Sequence, residues 1–391
     1  MTTPAPIHQY TFLFCDLITD RILAELPVQQ VEYSTELNGI GTFSGMIPLN
    51  DQTAPLAPMA ATIPGRTMLY VDRDGVIVWG GIVWTRKPLT AAYGVYGMHI
   101  QAAELPSYWQ HRYVNEILST DPGVLVANGA DGRYVPDGQR MYDDQAWILW
   151  SLLRYAGADI TGAGDIHVDT NPLVNPTGVT RVRTYDASQR PAILDLIRQL
   201  SEVDGGFDWG VEVGYNADGS RYRRWQVYYP RRGRSASATG FMFQYGAGGN
   251  ALTYEWPEDG TLLANRAIAL GAGQGQDVVI GQAEAGDQFP AGWPLLETVT
   301  KYDQVVEWNT IQAHAQADLY AHRSAMTTPT FTVLADADPV LGSYTVGDSA
   351  IFAIDPDGYY PNGYAAELRI VSIKVSYSGG PETVALTCTG A

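Results

Sequence analysis

Hydrophobic and polar positions alternate with a period of two at both ends of the chain, the spacing of strands that bury one face. Tyr10, Phe12 and Phe14 oppose Thr11, Leu13 and Cys15; Val31 with Tyr33, and Met68 to Val71, continue the pattern. Asp72-Arg73-Asp74-Gly75 reads as a hairpin turn, because Asp and Gly tolerate positive φ, with Val76 to Trp84 as its return strand. A further strand is expected from Val95 to Ala102. The C-terminal end follows the same plan, with Tyr344 to Ile354, a turn at Asp355-Pro356-Asp357-Gly358, Glu367 to Tyr377, a Ser378-Gly379-Gly380-Pro381 turn, and Thr383 to Thr389. Val371, Ile373, Val375, Tyr377, Val384, Leu386 and Cys388 are the inward candidates there.

The spacing changes to helical between these ends. A helix is expected over about Asp144 to Ala156, with Asp143 or Asp144 as N-cap, Ala146, Trp147, Trp150 and Leu153 on one stripe, and Gly157 as its stop. A second follows Ser188, with Pro191 in its first turn, Ile193, Ile197, Leu200 and Val203 on one side, and Gly205-Gly206 as terminator. Phe207 to Val213 and Arg224 to Tyr229 then read as a hairpin around Asn216-Ala217-Asp218-Gly219. A third helix is expected from Gln304 to Met326, with Trp308, Ile311, Ala315, Leu319 and Met326 at helical spacing.

The two ends share an order of strand, Asp-x-Asp-Gly turn, and a strand carrying Gly-Ile-Val-Trp (81–84) or Arg-Ile-Val-Ser (369–372), then a short turn and a last strand. This points to a divergent internal repeat, although any two antiparallel meanders share such features, and the spacing to the motif is shorter in the first copy. The expected class is α+β and β-dominated, with two tube-like antiparallel β-barrel domains and helix-containing domains between them. The boundaries read as 1–105 for the first β-domain, 106–185 for an inserted domain, 186–300 for an α+β middle domain, and 301–391 for a helix and the second β-domain.

At 391 residues the chain is long enough for several cores. Its 41 Gly and 23 Pro, with 46% hydrophobic and 17% charged residues, fit a turn-rich globular protein and exclude disorder or a coiled coil. The net charge of −18 argues against a surface that attracts nucleic acid or anionic lipid as a whole. Two cysteines, Cys15 and Cys388, make neither a disulfide framework nor a four-ligand zinc site. The N-terminus lacks a basic signal-peptide region and the longest apolar run, Val76 to Trp84, is too short to span a bilayer, so synthesis and folding in the cytoplasm are expected.

The candidate chemistry is sparse. Gly271, Gly273 and Gly275 in Gly-Ala-Gly-Gln-Gly-Gln follow a strand-like Arg-Ala-Ile-Ala-Leu, but Asp277 to Ile280 reads as a strand where a phosphate cradle needs a helix N-terminus. The acidic turns 72–75 and 355–358 lack the further oxygen ligands of a calcium loop. His314 and His322 share a helix without the spacing of a metal pair. No Gly-x-Ser-x-Gly elbow occurs, and the carboxylate pairs Glu32 with Glu36 and Asp143 with Asp144 are of the kind chance supplies among 42 acids. No catalytic residue, metal or cofactor is therefore assigned.

One basic concentration remains: Arg221, Arg223, Arg224, Arg231, Arg232 and Arg234, interleaved with Tyr222, Trp225, Tyr228 and Tyr229. Arginine beside aromatics suits nucleic acid and equally suits protein interfaces. In an otherwise acidic chain, Arg221, Arg223, Arg224, Trp225, Tyr228, Tyr229, Arg231, Arg232 and Arg234 are read as a contact with another subunit or a neighbouring protein.

Four segments in this order resemble a known family: Val-Ile-Val-Trp-Gly-Gly-Ile-Val-Trp (76–84), Ala-Ile-Leu-Asp-Leu-Ile-Arg-Gln-Leu-Ser-Glu-Val-Asp-Gly-Gly-Phe-Asp-Trp (192–209), Asn-Arg-Ala-Ile-Ala-Leu-Gly-Ala-Gly (265–273), and the closing block from the helix before Met326 through residues 344–352, 368–375 and 383–387. Over nearly the whole chain it resembles the tail hub proteins of siphoviruses, including actinobacteriophage minor tail proteins related to the baseplate hub of contractile-tailed phages. The resemblance implies a homotrimer with two tube-like barrels per subunit, a distal tail protein ring above, the tape-measure protein in or above the lumen, and tip or fibre proteins below. It also implies a place at the virion tail tip and passage of phage DNA without specific binding, with no membrane insertion. Hubs often continue into a hydrolase or receptor-binding region; this sequence stops at Ala391, so such a function is expected of another protein. An acidic pore wall would let DNA phosphates slide past with few adhesive contacts. The competing expectation is a bacterial cell-wall carbohydrate-binding or hydrolytic β-rich protein.

Overall fold

Seven consecutive strands form from the alternating N-terminal segments: β1 (Tyr10–Asp16), β2 (Ile22–Glu25), β3 (Gln29–Glu36), β4 (Thr42–Pro48), β5 (Thr67–Arg73), β6 (Val76–Ala91) and β7 (Gly94–Glu104), with a single helical turn, α1 (Pro58–Ala61), between β4 and β5. They lie in the order β2-β1-β5-β6-β7-β4-β3. The coordinates are a computed structural model, which describes residues 8–91, 94–120, 143–158, 163–170, 175–185, 188, 190–203, 205–273, 275–302 and 308–390.

Four strand steps separate β1 from β4, about 19 Å if the sheet were flat. The rings of Phe12 on β1 and Phe43 on β4 nevertheless stand 6.1 Å apart, and Phe43 lies 5.5 Å from Trp79 on β6. The sheet therefore rolls into a tube wall with an aromatic lining, as twist and strand tilt require of a curled sheet. The opposite face is covered as well. Leu13, Cys15, Met68, Tyr70 and Ile82 pack against a helical layer, so β1 and β5 are buried on both faces, where alternation alone predicts half-buried strands.

That layer follows β8 (Leu118–Ser119) and consists of α2 (Gln145–Gly157), β9 (Thr184–Tyr185) and α3 (Ile193–Ser201). Asp144 caps α2 as expected, its carboxylate accepting the Ala146 N–H at 2.9 Å. The buried stripe of α2 runs through Ile148, Leu149, Leu152 and Leu153, and the tryptophans expected to lead it sit at its margin. Helix α3 starts at Ile193, two residues beyond Pro191, whose carbonyl is engaged by the Val114 N–H. Nine residues make too short a helix to persist alone. Burial of Ile193, Leu194, Leu196, Ile197 and Leu200, at roughly 1.5–3 kcal/mol each, holds it in place.

A hairpin of β10 (Asp208–Tyr215) and β11 (Arg221–Tyr228) follows, then α4 (Ala236–Thr239), β12 (Met242–Tyr245) and β13 (Ala251–Glu255). The chain then leaves this unit for a second one, Tyr254–Thr330, and returns at Phe331.

The second unit holds β14 (Glu258–Asp259), β15 (Arg266–Leu270), β16 (Ile280–Glu284), β17 (Glu297–Lys301), α5 (Trp308–His322) and β18 (Met326–Thr327). Strand β15 pairs antiparallel with β16 and parallel with β17, and the small residues Ala269 and Ala283 meet Ile311 and Ala315 of the helix. A Cβ on Gly281 would stand 2.7 Å from the Ile311 carbonyl oxygen, so this approach requires glycine. The glycine loop before β16 leads into a short 3-10 turn and not a phosphate-binding helix. Two expectations are corrected here. Helix α5 ends at His322, because Met326 and Thr327 pair with Asp259 and Glu258 as strand, and Trp308, expected on the inner stripe, is 57% exposed. The expected start of this helix at Gln304 lies outside the described residues.

In the larger unit, β19 (Thr330–Leu334), β20 (Ser349–Ile354), β21 (Tyr364–Tyr377) and β22 (Thr383–Gly390) join β12 and β13 in a closed six-stranded barrel, β21-β20-β12-β13-β19-β22 and back to β21. The fold is thus α+β and β-dominated, as expected. Strand β12 runs parallel to both of its neighbours, whereas β21 is antiparallel to β20 and to β22. Residues 344–348, expected as strand, form a turn instead: Asp348 accepts the Thr345 N–H at 3.1 Å, and Gly347 sits at φ +94°. Strand β21 also pairs with β3, which ties the first sheet to the barrel.

The two meanders of the sequence repeat, β5-β6-β7 and β20-β21-β22, share a long middle strand of 16 or 14 residues broken by a bulge. The bulge lies between Val83 and Thr85 in one and between Ile370 and Ser372 in the other, inside the motif in both. A bulge bends its strand and reverses the inward parity. Leu368 and Ile370 therefore point inward before it and Val375 after it, on the face it shares with the half-buried Ile373, whereas Val371, expected inward, is the extra residue of the bulge.

Candidate functional site

The arginine-rich segment forms β11 and the residues after it, and strand geometry divides it at once. Alternate side chains of a strand face opposite ways. Arg221, Arg223 and Trp225 of β11 lie opposite Tyr215, Val213 and Val211 of β10 and face the core, while Tyr222, Arg224 and Tyr228 occupy the other face. Trp225 is fully buried, its ring 5.0 Å from Trp109 and 5.6 Å from Trp209.

Arg223 is 5% exposed and completely committed inside the unit. Its Nε donates to the Tyr70 hydroxyl at 2.7 Å, Nη1 to the carbonyls of Leu17 (2.7 Å) and Ile166 (3.1 Å), and Nη2 to Asp20 at 2.6 Å. Arg221 shares the Asp20 carboxylate at 3.0 Å. Arg223 and Trp225 have no surface to offer a neighbouring molecule; they join the hairpin to the first sheet. Arg224 pairs with Asp169 at 3.5 Å and stacks over Tyr222.

Beyond the hairpin the chain is tied to the barrel. The Arg232 N–H donates to Asp208 at 2.6 Å, and Arg369 donates to the same carboxylate. Arg234 grips Asp348, whose side chain is wholly buried, through its backbone N–H and its guanidinium at 2.6 Å. Burial would lift the Asp348 pKa, but the hydrogen bonds from Arg234 and Thr345 outweigh it and hold the carboxyl below its ordinary range. Tyr229 and Arg231 remain exposed, Arg231 with one 3.0 Å bond to the Ser349 hydroxyl. Arg234 is exposed over half of its side chain as well, but its ties to Asp348 fix it to the barrel, which leaves Tyr229 and Arg231 as the exposed members of the nine with the fewest ties to the fold.

Beside the hairpin opens a cleft of about 730 Å³, within the usual size of ligand sites. Strands β3 and β6, the hairpin, β21 and residues 341–346 wall it. Gly80 makes the crossing possible: a Cβ there would stand 3.1 Å from Val213 of β10. Glu104, at the end of β7, lines the cleft and accepts the Gly41 N–H at 2.7 Å and the Thr35 hydroxyl at 3.1 Å. Burial pushes its carboxyl up to about 7, only partly offset by these two bonds. Sequence reasoning passed over Glu104 because an isolated Glu closing a strand carries no motif.

This acid has a measurable signature. A carboxyl raised above its unfolded value contributes stability that is fully present below about pH 4.5 and is lost as pH rises through about 7. Glu104→Gln retains the shape without the charge. Its stability relative to the parent is expected to rise by on the order of 2 kcal/mol between pH 5 and pH 8, read from paired melts; a constant difference would show that Glu104 ionises normally.

The other singled-out residues have structural partners. Asp72 accepts the Gly75 N–H at 2.7 Å in its hairpin turn, and Asp355 accepts from Gln244 at 2.7 Å. Glu32 pairs with Lys374 at 2.8 Å, and His314 stacks on Tyr302. Cys15 and Cys388 are buried, and burial raises both thiols, Cys15 to about 11. Among the described residues no group of His, Cys, Asp or Glu is placed to hold a metal ion, and no helix is long and apolar enough to cross a membrane.

No protein-family model matches the chain, and no curated protein matches it in sequence. Solved structures do. A tail protein from Neisseria meningitidis MC58 matches with TM-score 0.59 at 13% identity, over 97% of this chain and 96% of that one. The 43 kDa tail protein of prophage MuSo2 from Shewanella oneidensis matches with TM-score 0.56 at 12% identity, over 98% of each. At such identities the likeness is one of fold, and it extends over the whole length. The resemblance to phage tail proteins seen in the order of sequence segments thus holds at the level of the fold.

Proposed function

We propose that this chain is a structural subunit of a phage tail, the hub at the distal end of the tail tube. The full-length fold match to two tail proteins carries the reading. The paired meanders with bulged middle strands support it, because a ring of six similar domains from three chains needs two comparable β-units in each. In this reading the hub is a homotrimer that joins the distal tail ring to tip or fibre proteins, meets the tape-measure protein at its lumen and forms part of the DNA ejection conduit without specific DNA contacts. It acts by assembly and not by catalysis. The net charge of −18 suits a wall past which phosphates slide.

Tyr229 and Arg231 are the residues of the arginine segment assigned to inter-subunit contact, since Arg223, Arg232 and Arg234 hold the fold together. Light-scattering mass with negative-stain imaging tests the whole: about three times 42.6 kDa with an axial hole is expected. Tyr229→Ala with Arg231→Ala should lower the trimer fraction while leaving the melting temperature within about 2 °C, since surface substitutions change stability little. A chain that stays single at every concentration, alone and with the distal ring protein, would overturn the hub reading.

A further inference from the structure

The cleft beside the hairpin contains hydrogen-bonding groups that the fold leaves unused. Tyr344 lines it, a residue only 4% exposed whose buried hydroxyl has no hydrogen-bond partner among the described residues. A buried hydroxyl left unpaired costs about 1–3 kcal/mol, so a group in this position calls for a partner from outside. Glu36 also lines the cleft, and its carboxylate, which feels the charge of Arg198, makes no hydrogen bond or salt bridge among the described residues. Aliphatic side chains also line the cleft, and two of them are open to solvent, Val76 at 61% and Val78 at 36%.

The chemistry of the wall selects the occupant. An anion is disfavoured, because Glu36, Glu104 and Glu212 share the cleft while Arg73 is already bound to Glu382 at 2.7 Å and Arg232 lies over Tyr228. A sugar needs an accessible aromatic face, yet Trp79, Tyr33 and Tyr344 are at most 5% exposed, and the Arg224 guanidinium lies over the ring of Tyr222, the fourth aromatic of the wall. Exposed valines with a carboxylate that makes no hydrogen bond or salt bridge instead match a basic side chain, whose aliphatic stem lies on apolar surface while its charged head meets an acid.

We propose that this cleft receives an extended peptide segment of a partner protein, with aliphatic side chains against Val76 and Val78, a lysine or arginine head at Glu36, and a main-chain group at the Tyr344 hydroxyl. The proposal does not draw on the tail reading: a trimeric hub with an idle cleft and a single chain with an occupied one are separate results.

Fluorescence polarisation on the purified full chain tests it with an end-blocked, fluorescein-labelled Val-Lys-Val-Lys-Val-Lys peptide, its Val-Glu-Val-Glu-Val-Glu counterpart and labelled chitotetraose. The basic peptide is expected to bind saturably and the other two not. Glu36→Lys should weaken binding at least tenfold, and Tyr344→Phe, which removes one oxygen and keeps the ring, about threefold or more. Glu25→Lys, an equal charge change on exposed β2 outside the cleft, should leave it within twofold. Equal losses from Glu36→Lys and Glu25→Lys would reduce the effect to bulk charge and overturn the proposal. So would the absence of saturable binding, or binding of the acidic peptide or the sugar in place of the basic one.

Discussion

Arg223→Ala is expected to destabilise the larger unit by about 3–5 kcal/mol, the range seen when one partner of a buried ion pair is removed. The side chain makes four hydrogen bonds to groups from three separate segments, Asp20 with Leu17, Tyr70, and Ile166. Truncation leaves the Leu17 and Ile166 carbonyls without this donor in a space too enclosed for bulk water, and it removes the guanidinium that lies over the Tyr70 ring. Arg223→Lys should recover only part of the loss, because an ammonium cannot reproduce the planar fork. Urea unfolding followed by tryptophan fluorescence would report it as a lower midpoint, and the alanine variant should stand apart from Arg231→Ala, which is exposed and expected to cost less than about 1 kcal/mol. Equal midpoints for the two variants would contradict the buried placement of Arg223.

Gly233→Ala is expected to have the second large effect, about 3 kcal/mol or more. Gly233 has φ +92°, and a Cβ there would stand 2.0 Å from the carbonyl carbon of Gly347, itself at φ +94°. Two glycines thus let the strap after the hairpin lie directly on the turn that carries Asp348, where Arg234 docks. Alanine would add the strain of the left-handed region, about 1–2 kcal/mol, to an overlap that neither backbone can relieve without moving. Gly75→Ala is the internal control. It has φ +83° with nothing within 4 Å of the added atom, so only the conformational cost should appear in a thermal melt. If the two alanines shift the melt equally, the close approach at Gly233 does not exist in solution.

The arginine cluster shows how far proximity in sequence misleads. Six arginines and four aromatics within fourteen positions look like one surface patch, yet a strand sends its neighbours to opposite faces. Arg223 and Trp225 became clamp and core, Arg232 and Arg234 became ties to the barrel, Arg234 with half of its side chain still exposed, and Tyr229 and Arg231 stayed on the surface. Nothing local to these residues distinguishes a guanidinium that meets a partner protein from one that meets Asp20, about two hundred positions earlier. Glu104 was invisible for the same reason: its raised pKa arises from the strands, hairpin and turn packed around it, none of which its neighbours in sequence announce.

The local pattern of side chains was sufficient for the elements governed by short-range physics. Period-two alternation located the strands of both meanders, Asp144 and its following apolar stripe located a capped helix, and Asp-Gly turns located hairpins, because backbone sterics and side-chain reach act over a few residues. The shared Gly-Ile-Val-Trp and Arg-Ile-Val-Ser motifs carried the repeat, whose structural content is a bulge in each long middle strand. Tertiary structure alone decided the rest. It rolled the first sheet so that Phe12 meets Phe43, buried β1 on both faces, ended α5 early by pairing Met326 as strand, and opened a cleft where β10 crosses Gly80. Each of these depends on contacts between segments distant in the chain, whose free energies are of the same size as local propensities and so can override them.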